Sequence, residues 1–353
     1  MTDLIKNRNL ALGRPSRRSV LQGLGLAAGG IALGAPFVSR AQAQGGPLVW
    51  YGTPSVESMD GWAKQFQAAK GIAVETFRAG SIKLTQKFET ELAAGQLRCS
   101  VIDNASVGIF MDWVDRGLIE KYESPEAAAY PEDIRAPGFW TPVKGLLPLI
   151  SYNLDSIPAE EAPKKWEDIL DPKWRGKMVI ADATESGSAM HWFAAMMKHF
   201  GKDFMVELSK QDVLIRQSSG AVAETLTSGE RPLSPMSLEY ASFEAIEAGA
   251  NLQLVIPEEG VPMTYVVMGI PKGAPNPEAG KQFLDFALSA KAQAWWQQEF
   301  HTPSMRNDAE PMKHARGWRP ISEIKRIASS VDDLRDFHAR QSELLDTWIE
   351  LFK

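Results

Sequence analysis

The sequence predicts an α/β protein folded as two lobes, with the backbone crossing between them twice. Three observations predict it. Strand, helix and strand patterns alternate after residue 45, which argues for a mainly parallel sheet. Extended apolar runs at Leu146–Asn153 and Met263–Met268 are placed to carry the chain from one unit to another and back. The length, 353 residues with 44% apolar composition, suits two domains of roughly 100–200 residues each.

The first forty residues read as an address. Ser16-Arg17-Arg18-Ser19 precedes an apolar run from Leu24 to Val38, and Ala41-Gln42-Ala43 follows. A charged start, a short apolar stretch and a small-residue site make an export signal, cleaved near Ala43. The paired arginines look like a twin-arginine signal read by the twin-arginine translocase. The run is shorter than the roughly 20 residues a bilayer span needs. The protein is therefore expected to be soluble in a bacterial periplasm.

The remaining elements follow in order. Gly46–Thr53 reads as a buried strand ending in a loop. Trp62, Phe66 and Ala69 sit at helical spacing, and Gly71 stops that helix. Ile72–Phe77 is a second strand. Ser81 is read as the cap of a helix with Leu84, Phe88 and Leu92 on one face, ending near Gly95. Cys99–Ile102 is a third strand, followed by Asn104-Ala105-Ser106 and another helix. Trp166–Lys177 is rich in turns and feeds the strand Met178–Ala181. Helices start at Ser186-Gly187-Ser188 and Ser218-Ser219-Gly220. Leu252–Pro257 and Met263–Met268 read as strands returning to the first unit. Asn276-Pro277-Glu278 caps a helix with Phe283, Leu284 and Phe286 on its apolar side. From about Ile321 the spacing of Ile324, Ile327, Val331 and Leu334 predicts continuous helix.

Charge and composition exclude several classes. Net charge is −6, with +5 in residues 1–43 and −11 in the rest. So acidic a chain carries no electrostatic footprint for nucleic acid. The single cysteine, Cys99, forbids an intramolecular disulfide or a cysteine-based zinc site. No Gly-x-Ser-x-Gly elbow, phosphate-binding Walker loop, His-Glu-x-x-His or calcium loop occurs. The histidines are His191, His199, His301, His314 and His338; His191 and His199 read as packing or exposed rather than metal ligands. No enzyme activity, cofactor or metal is expected.

What the sequence does carry is a set of hydroxyl- and glycine-rich helix starts. They are Thr53-Pro54-Ser55, Gly80-Ser81, Asn104-Ala105-Ser106, Thr184–Ser188 and Ser218–Ala221. A helix N-terminus offers unpaired N–H groups and partial positive charge, which suits a carboxylate or phosphate. Any one such serine is simply a cap; five on the loop side of a sheet point to a polar cleft. Arg78 and Arg216 precede two of the starts and are candidates for forked anion contacts, or for exposed strand ends. Trp50, Tyr51, Trp192, Tyr240 and Tyr265 are candidate apolar walls or core.

From about Pro47 to Ser304 the sequence resembles bacterial periplasmic solute-binding proteins of ABC importers. It looks most like the branch of ferric-iron, phosphonate, sugar-phosphate and polyamine binders. Trp166-Glu167-Asp168-Ile169-Leu170-Asp171-Pro172-Lys173-Trp174-Arg175-Gly176-Lys177 carries the resemblance most specifically. Trp50–Thr53, Arg78–Ser81, Tyr152–Pro158 and Gly269–Ala279 add to it. The resemblance implies a type II periplasmic-binding-protein fold hinged by two crossing strands. One lobe would comprise 46–148 plus 269–353, the other 152–262, with hinges near 148–152 and 262–269. It implies a monomer that captures a small solute and delivers it unchanged to an inner-membrane ABC permease. The ligand-contacting positions implied are Thr53, Ser55, Ser81, Asn104, Ser106, Ser186, Ser188, Ser219, Gly220, Ala221 and Tyr240, with Arg78 and Glu239 beside them. An anionic organic solute is expected first. Ferric iron held by Tyr240, with Glu239 and Tyr265, is the alternative, although iron binders of this branch carry two adjacent tyrosines where this chain has Glu239-Tyr240. A polyamine or other cation held by Glu239 or Asp103 is the third possibility.

Overall fold

The computed structural model describes residues 47–310 and 321–353. The expected export signal with Arg17-Arg18 and its cleavage near Ala43, and also His314, lie outside the described residues. No helix among the described residues is long and apolar enough to cross a membrane.

The chain opens with β1 (Leu48–Gly52), α1 (Val56–Lys70), β2 (Val74–Arg78), α2 (Ser81–Ala93), β3 (Val101–Asn104) and α3 (Val107–Asp115). Helix α1 stops where expected: Gly71 takes φ 72°, and its N–H bonds the Gln67 carbonyl. That left-handed conformation favours glycine. The cap of α2 is Gly80 rather than Ser81, which is the first helical residue. Strand β3 begins at Val101, after Cys99 and Ser100. The short β4 (Ile119–Glu120) and β5 (Thr141–Leu146) follow.

One residue, Leu147, separates β5 from β6 (Pro148–Asn153). The chain then makes two tight turns, Glu167–Leu170 and Pro172–Trp174, in the stretch read as turn-rich. Asp171 accepts the Lys173 N–H at 2.9 Å, and the Trp166 indole donates to the Gly260 carbonyl at 2.8 Å. Next come β7 (Val179–Ala181), α4 (Gly187–Phe200), α5 (Lys202–Ser209), β8 (Leu214–Arg216), α6 (Ser219–Ser228), β9 (Leu233–Leu238), α7 (Glu239–Glu247) and β10 (Leu252–Val255). Strand β11 (Thr264–Pro271), α8 (Pro277–Leu288), α9 (Ala290–Phe300), α10 (Val331–Ala339) and α11 (Gln341–Phe352) complete the described chain.

The expected mainly parallel sheet is corrected by the pairing. Six strands run in the order β2-β1-β3-β11-β4, with β5 also on β11. Strands β1, β2 and β3 are parallel, but β11 is antiparallel to each of its partners. Strand β11 arrives from far along the chain, so no βαβ crossover fixes its direction. A second group holds β10-β6-β9, all antiparallel, and the parallel pair β7-β8. An isolated Met178–Leu233 bridge links the two. Of the two strands expected to return to the first sheet, β11 does and β10 pairs with β6 instead.

Aromatic rings fill both groups. Trp50 packs on Phe283 (5.1 Å between centroids), and Trp62 on Trp296 (4.2 Å), joining β1 and α1 to α8 and α9. Cys99 is fully buried beside this sheet, and burial pushes its thiol far up. Trp166 lies 6.4 Å from Trp192 in the second core. Trp50, Tyr51, Trp192 and Tyr265 are core residues, so of the candidate walls only Tyr240 remains partly exposed.

The C-terminal prediction is also corrected. Ile321–Glu323 is one tight turn, and helix begins only at Val331, capped by Ser330 and Asp333 in a capping box. Ile324 and Ile327 are buried without being helical. Helix α10 packs on α3, while α11 packs on α4 and α5. Trp348 is wholly buried, edge-on to Phe193 at 5.4 Å and stacked on Phe352 at 4.5 Å.

Candidate functional site

Three helix starts converge on one cavity of about 570 Å³. Helix α2 contributes Gly80 and Ser81, α3 contributes Ser106, Val107 and Gly108, and α4 contributes Ser186, Gly187 and Ser188. The local sequence sets up each start differently. Gly80 and Ser106 cap α2 and α3 without any side-chain hydrogen bond. First-turn N–H groups have no acceptor within their own helix, so these two starts keep donors available. At α4 the Ser186 hydroxyl accepts from Ala189 N–H at 3.3 Å and sits 3.0 Å from the Ser188 hydroxyl. The floor comes from the sheet connections, through Leu146, Leu238, Tyr240 and Thr264. The α10–α11 pair supplies another wall, including Phe337, His338, Gln341 and Leu344.

Of the expected ligand-contacting residues, Ser81, Ser106, Ser186, Ser188 and Tyr240 line this cavity. The others are placed elsewhere or used internally. Asp103, wholly buried in β3, accepts from the Thr53 amide (2.9 Å), the Thr53 hydroxyl (2.6 Å) and the Trp50 indole (2.8 Å). Burial raises the Asp103 carboxyl to about 6, against these hydrogen bonds. The Thr53 hydroxyl is thereby committed to the frame joining β1 and β3. Asn104 is buried, accepting from Ser106 N–H at 2.8 Å and donating to Thr85 at 3.4 Å. Ser55 caps α1 and accepts from Ser58 N–H. Ser219, Gly220 and Ala221 open α6, whose start is outside the cavity lining, with Ser218 as cap. Arg78 ends β2 exposed. Arg216 is drawn to Thr225 (3.1 Å) and Glu230 (2.7 Å), so its fork is occupied within the protein.

Glu239 is wholly buried, and its Oε2 accepts the Leu147 N–H at 2.8 Å. Leu147 is the residue between β5 and β6, so this carboxyl pins the passage from one strand group to the other. Its second oxygen has no hydrogen-bond partner. Burial raises the carboxyl to about 7, with the Lys144 cation opposing. Lys144 makes no ion pair among the described residues; its ammonium lies 4.4 Å from the Tyr240 ring centroid, a cation–π contact. Burial in turn lowers Lys144, while Glu239, Glu244 and Asp103 support its charge. Tyr240 is pushed up to about 12, first by burial and then by the nearby glutamates. Its phenol is neutral at physiological pH and is also influenced by the Ser219 hydroxyl at the start of α6; Tyr240 itself is part of the cavity lining. Ferric iron calls for several hard oxygen ligands, but Glu239 and Tyr265 are not among the lining residues, and the Tyr265 hydroxyl donates to the Ser329 carbonyl at 3.1 Å. Among the described residues no group of three or more His, Cys, Asp or Glu side chains is placed to hold a metal ion.

Sequence reasoning missed the α10–α11 wall and the site position of His191. His191 is 8% exposed and lines the cavity from α4. Only long-range packing brings residues 334–344 to the first turns of α3 and α4, and no local pattern records that. Gly108 is part of the reason: a Cβ there would collide with the His338 side chain, so glycine lets α10 approach.

The arrangement suits capture of an anion by backbone donors and hydroxyls. Comparisons with known proteins agree on the scaffold. A Haemophilus influenzae protein of uncharacterised role is 29% identical over 51% of this chain, and the chain spans 56% of that relative's length. A Salmonella typhimurium periplasmic protein, provisionally named for 2-aminoethylphosphonate binding, is 24% identical over 79% of this chain and 86% of its own. The crystal structure of iron-bound HitA from Pseudomonas aeruginosa superposes with TM-score 0.74 at 20% identity, covering 87% of this chain and 99% of that one. It gives the fold, a type II periplasmic binding protein. Residues 101–320 match the bacterial extracellular solute-binding proteins along more than half the sequence, and the chain belongs to that family.

Proposed function

We propose that this protein is the solute-capturing component of a bacterial ABC importer and that it holds a small organic anion. The carrying observation is the convergence of three helix N-termini, with Ser81, Ser106, Ser186, Ser188 and Tyr240, on one cavity. Aligned peptide dipoles place partial positive charge where the anionic group would sit. The provisional name of the Salmonella relative, which carries a phosphonate, is consistent with this reading.

One lobe would contain 46–148 plus 269–353 and the other 152–262, turning near 148–152 and 262–269. The single-residue link at Leu147 and the long β11 supply connections of the kind a hinge uses. The chain would act as a periplasmic monomer exported by the twin-arginine route, and it would pass its solute unchanged to an inner-membrane permease.

A thermal-shift panel of organic phosphates, phosphonates, carboxylates and amines tests the reading. Saturation at 100 times the dissociation constant stabilises by about 2.7 kcal/mol. Shifts confined to anions are expected. Shifts confined to amines, or none with any anion, would refute it.

A further inference from the structure

We infer that Lys353 is a positioning residue of the cavity: its ammonium fixes the turn that presents the start of α4 to the solute, and it cancels the negative charge of Asp182 behind that start. This rests on the anion reading above and deepens it by assigning a residue that tunes the same site.

The turn is organised around one carboxylate. Asp182, buried just past β7, accepts the Thr184 N–H and the Thr184 hydroxyl on Oδ1, each at 2.8 Å. Its carbonyl accepts the amides of Glu185 at 3.1 Å and Ser186 at 2.8 Å. Its own N–H donates to the Arg216 carbonyl of β8 at 2.7 Å, which ties this hub to the strand pair. Ser186 is the α4 cap, and Thr184, Ser186 and Ser188 all line the cavity.

Lys353 reaches the same hub from a distant part of the chain. Its Nζ lies 3.0 Å from Asp182 Oδ2 and donates to the Thr184 hydroxyl at 3.0 Å. One ammonium therefore holds both the carboxylate and the hydroxyl of a lining residue. Packing sets its reach. In α11, Trp348 meets Phe193 of α4 edge-on at 5.4 Å and stacks on Phe352 at 4.5 Å. Lys353 follows Phe352 directly, and its N–H still bonds the Ile349 carbonyl at 3.1 Å. The ammonium thus arrives on a helix already docked against α4.

Charge gives the contact its consequence. Burial pushes the Asp182 carboxyl up, but the Thr184 hydrogen bonds and Lys353 bring it below its ordinary range, so it is ionised at neutral pH. The N-terminal end of α4 welcomes that charge. The same charge opposes an anion held at the same end. Among the described residues no other cation pairs with Asp182. An ion pair whose lysine is open to solvent adds little to global stability, so its effect is local: the place of the turn and the field at the start of α4.

Calorimetric titration with methylphosphonate, inorganic phosphate and acetate, paired with hydrogen exchange of the solute-free protein, tests this. Lys353→Met should speed exchange of the Thr184, Glu185 and Ser186 amides severalfold and leave the first turns of α2 and α3 unchanged. It should weaken whichever of the three anions the parent binds by about three- to fivefold, the size of one charge acting at a helix end. Lys353→Arg should keep most of the parent's affinity. Adding Asp182→Asn to Lys353→Met removes the uncancelled charge while the amide oxygen still serves Thr184, and should return affinity toward the parent's. Lys202→Met breaks a pair of the same kind, with Glu350 at 3.2 Å between α5 and α11, outside the lining, and should change neither readout. Unchanged affinity in Lys353→Met, with the parent binding, overturns the inference and leaves the anion site standing. So does an equal loss in Lys202→Met, which marks a general loosening of α11. A loss that the double variant does not reduce overturns the charge-cancelling role. A parent that binds none of the anions overturns the reading above, and exchange at the turn then alone upholds or overturns the clamp.

Discussion

Glu239→Gln isolates the energetic role of the buried carboxyl beneath the strand crossing. In the folded chain burial raises Glu239 from its ordinary 4.5 to about 7. Below pH 4.5 the folded and unfolded chains both hold the proton, and the group is neutral in the stability balance. Between about 4.5 and 7 the unfolded chain has released its proton while the folded chain keeps it, so stability falls as pH rises. Above pH 7 the folded chain carries an ionised carboxylate in a buried site. At 1.36 kcal/mol per pH unit, the loss across that window is about 3 kcal/mol. Glutamine has the same shape, keeps an oxygen for the Leu147 N–H and does not titrate. The stability of Glu239→Gln relative to the parent should therefore rise by about 3 kcal/mol between pH 4.5 and pH 8. Urea unfolding followed by tryptophan fluorescence at four pH values measures it. Parallel stability curves for the two proteins, separated by a constant amount, would show that the carboxyl is not buried in this way.

Three further outcomes follow from the packing. Trp348→Ala removes a wholly buried ring between Phe193 and Phe352, and should cost about 3–5 kcal/mol in the same unfolding assay. Gly108→Ala forces a Cβ against the Cβ and ring of His338 and should cost about 1–3 kcal/mol; His338→Gly, which removes both, should cancel most of that contact term, whereas His338→Ala keeps the Cβ and should recover only part of it, as double-mutant cycles would show. Asp103→Ala strands the Thr53 amide and the Trp50 indole and should destabilise by at least 2 kcal/mol, measured by the midpoint of thermal unfolding and its enthalpy.

The elements that were legible in the sequence are those whose cause is local. Gly71 ends α1 because only the residue itself must turn left-handed. Asn276-Pro277 starts α8 because cap and ring act within one turn. The serine-rich starts of α2, α3 and α4 were visible for the same reason, although Gly80 rather than Ser81 makes the α2 cap. Strand direction was not legible, since the partners of β11 lie more than a hundred residues away. The role of Asp103 was hidden for a similar reason: its three donors sit in β1 and the loop after it, some fifty residues earlier. Ile324 and Ile327 show the limit of spacing arguments, because burial in an irregular segment imitates a helical stripe. Arg216 looked free in sequence because Glu230 reaches it only after α6 folds back.

Cys99 has a practical consequence. The chain has one cysteine, and its sulfur is sealed from solvent with a thiol that resists ionisation. Thiolates, not thiols, react with maleimides and disulfide probes. Pairs of new cysteines introduced at exposed positions away from the cavity, such as Glu57 and Asp203, would take spin labels or dyes without first stripping the native one. Distances across the molecule could then be followed in an otherwise unaltered background, in solution and as candidate solutes are added.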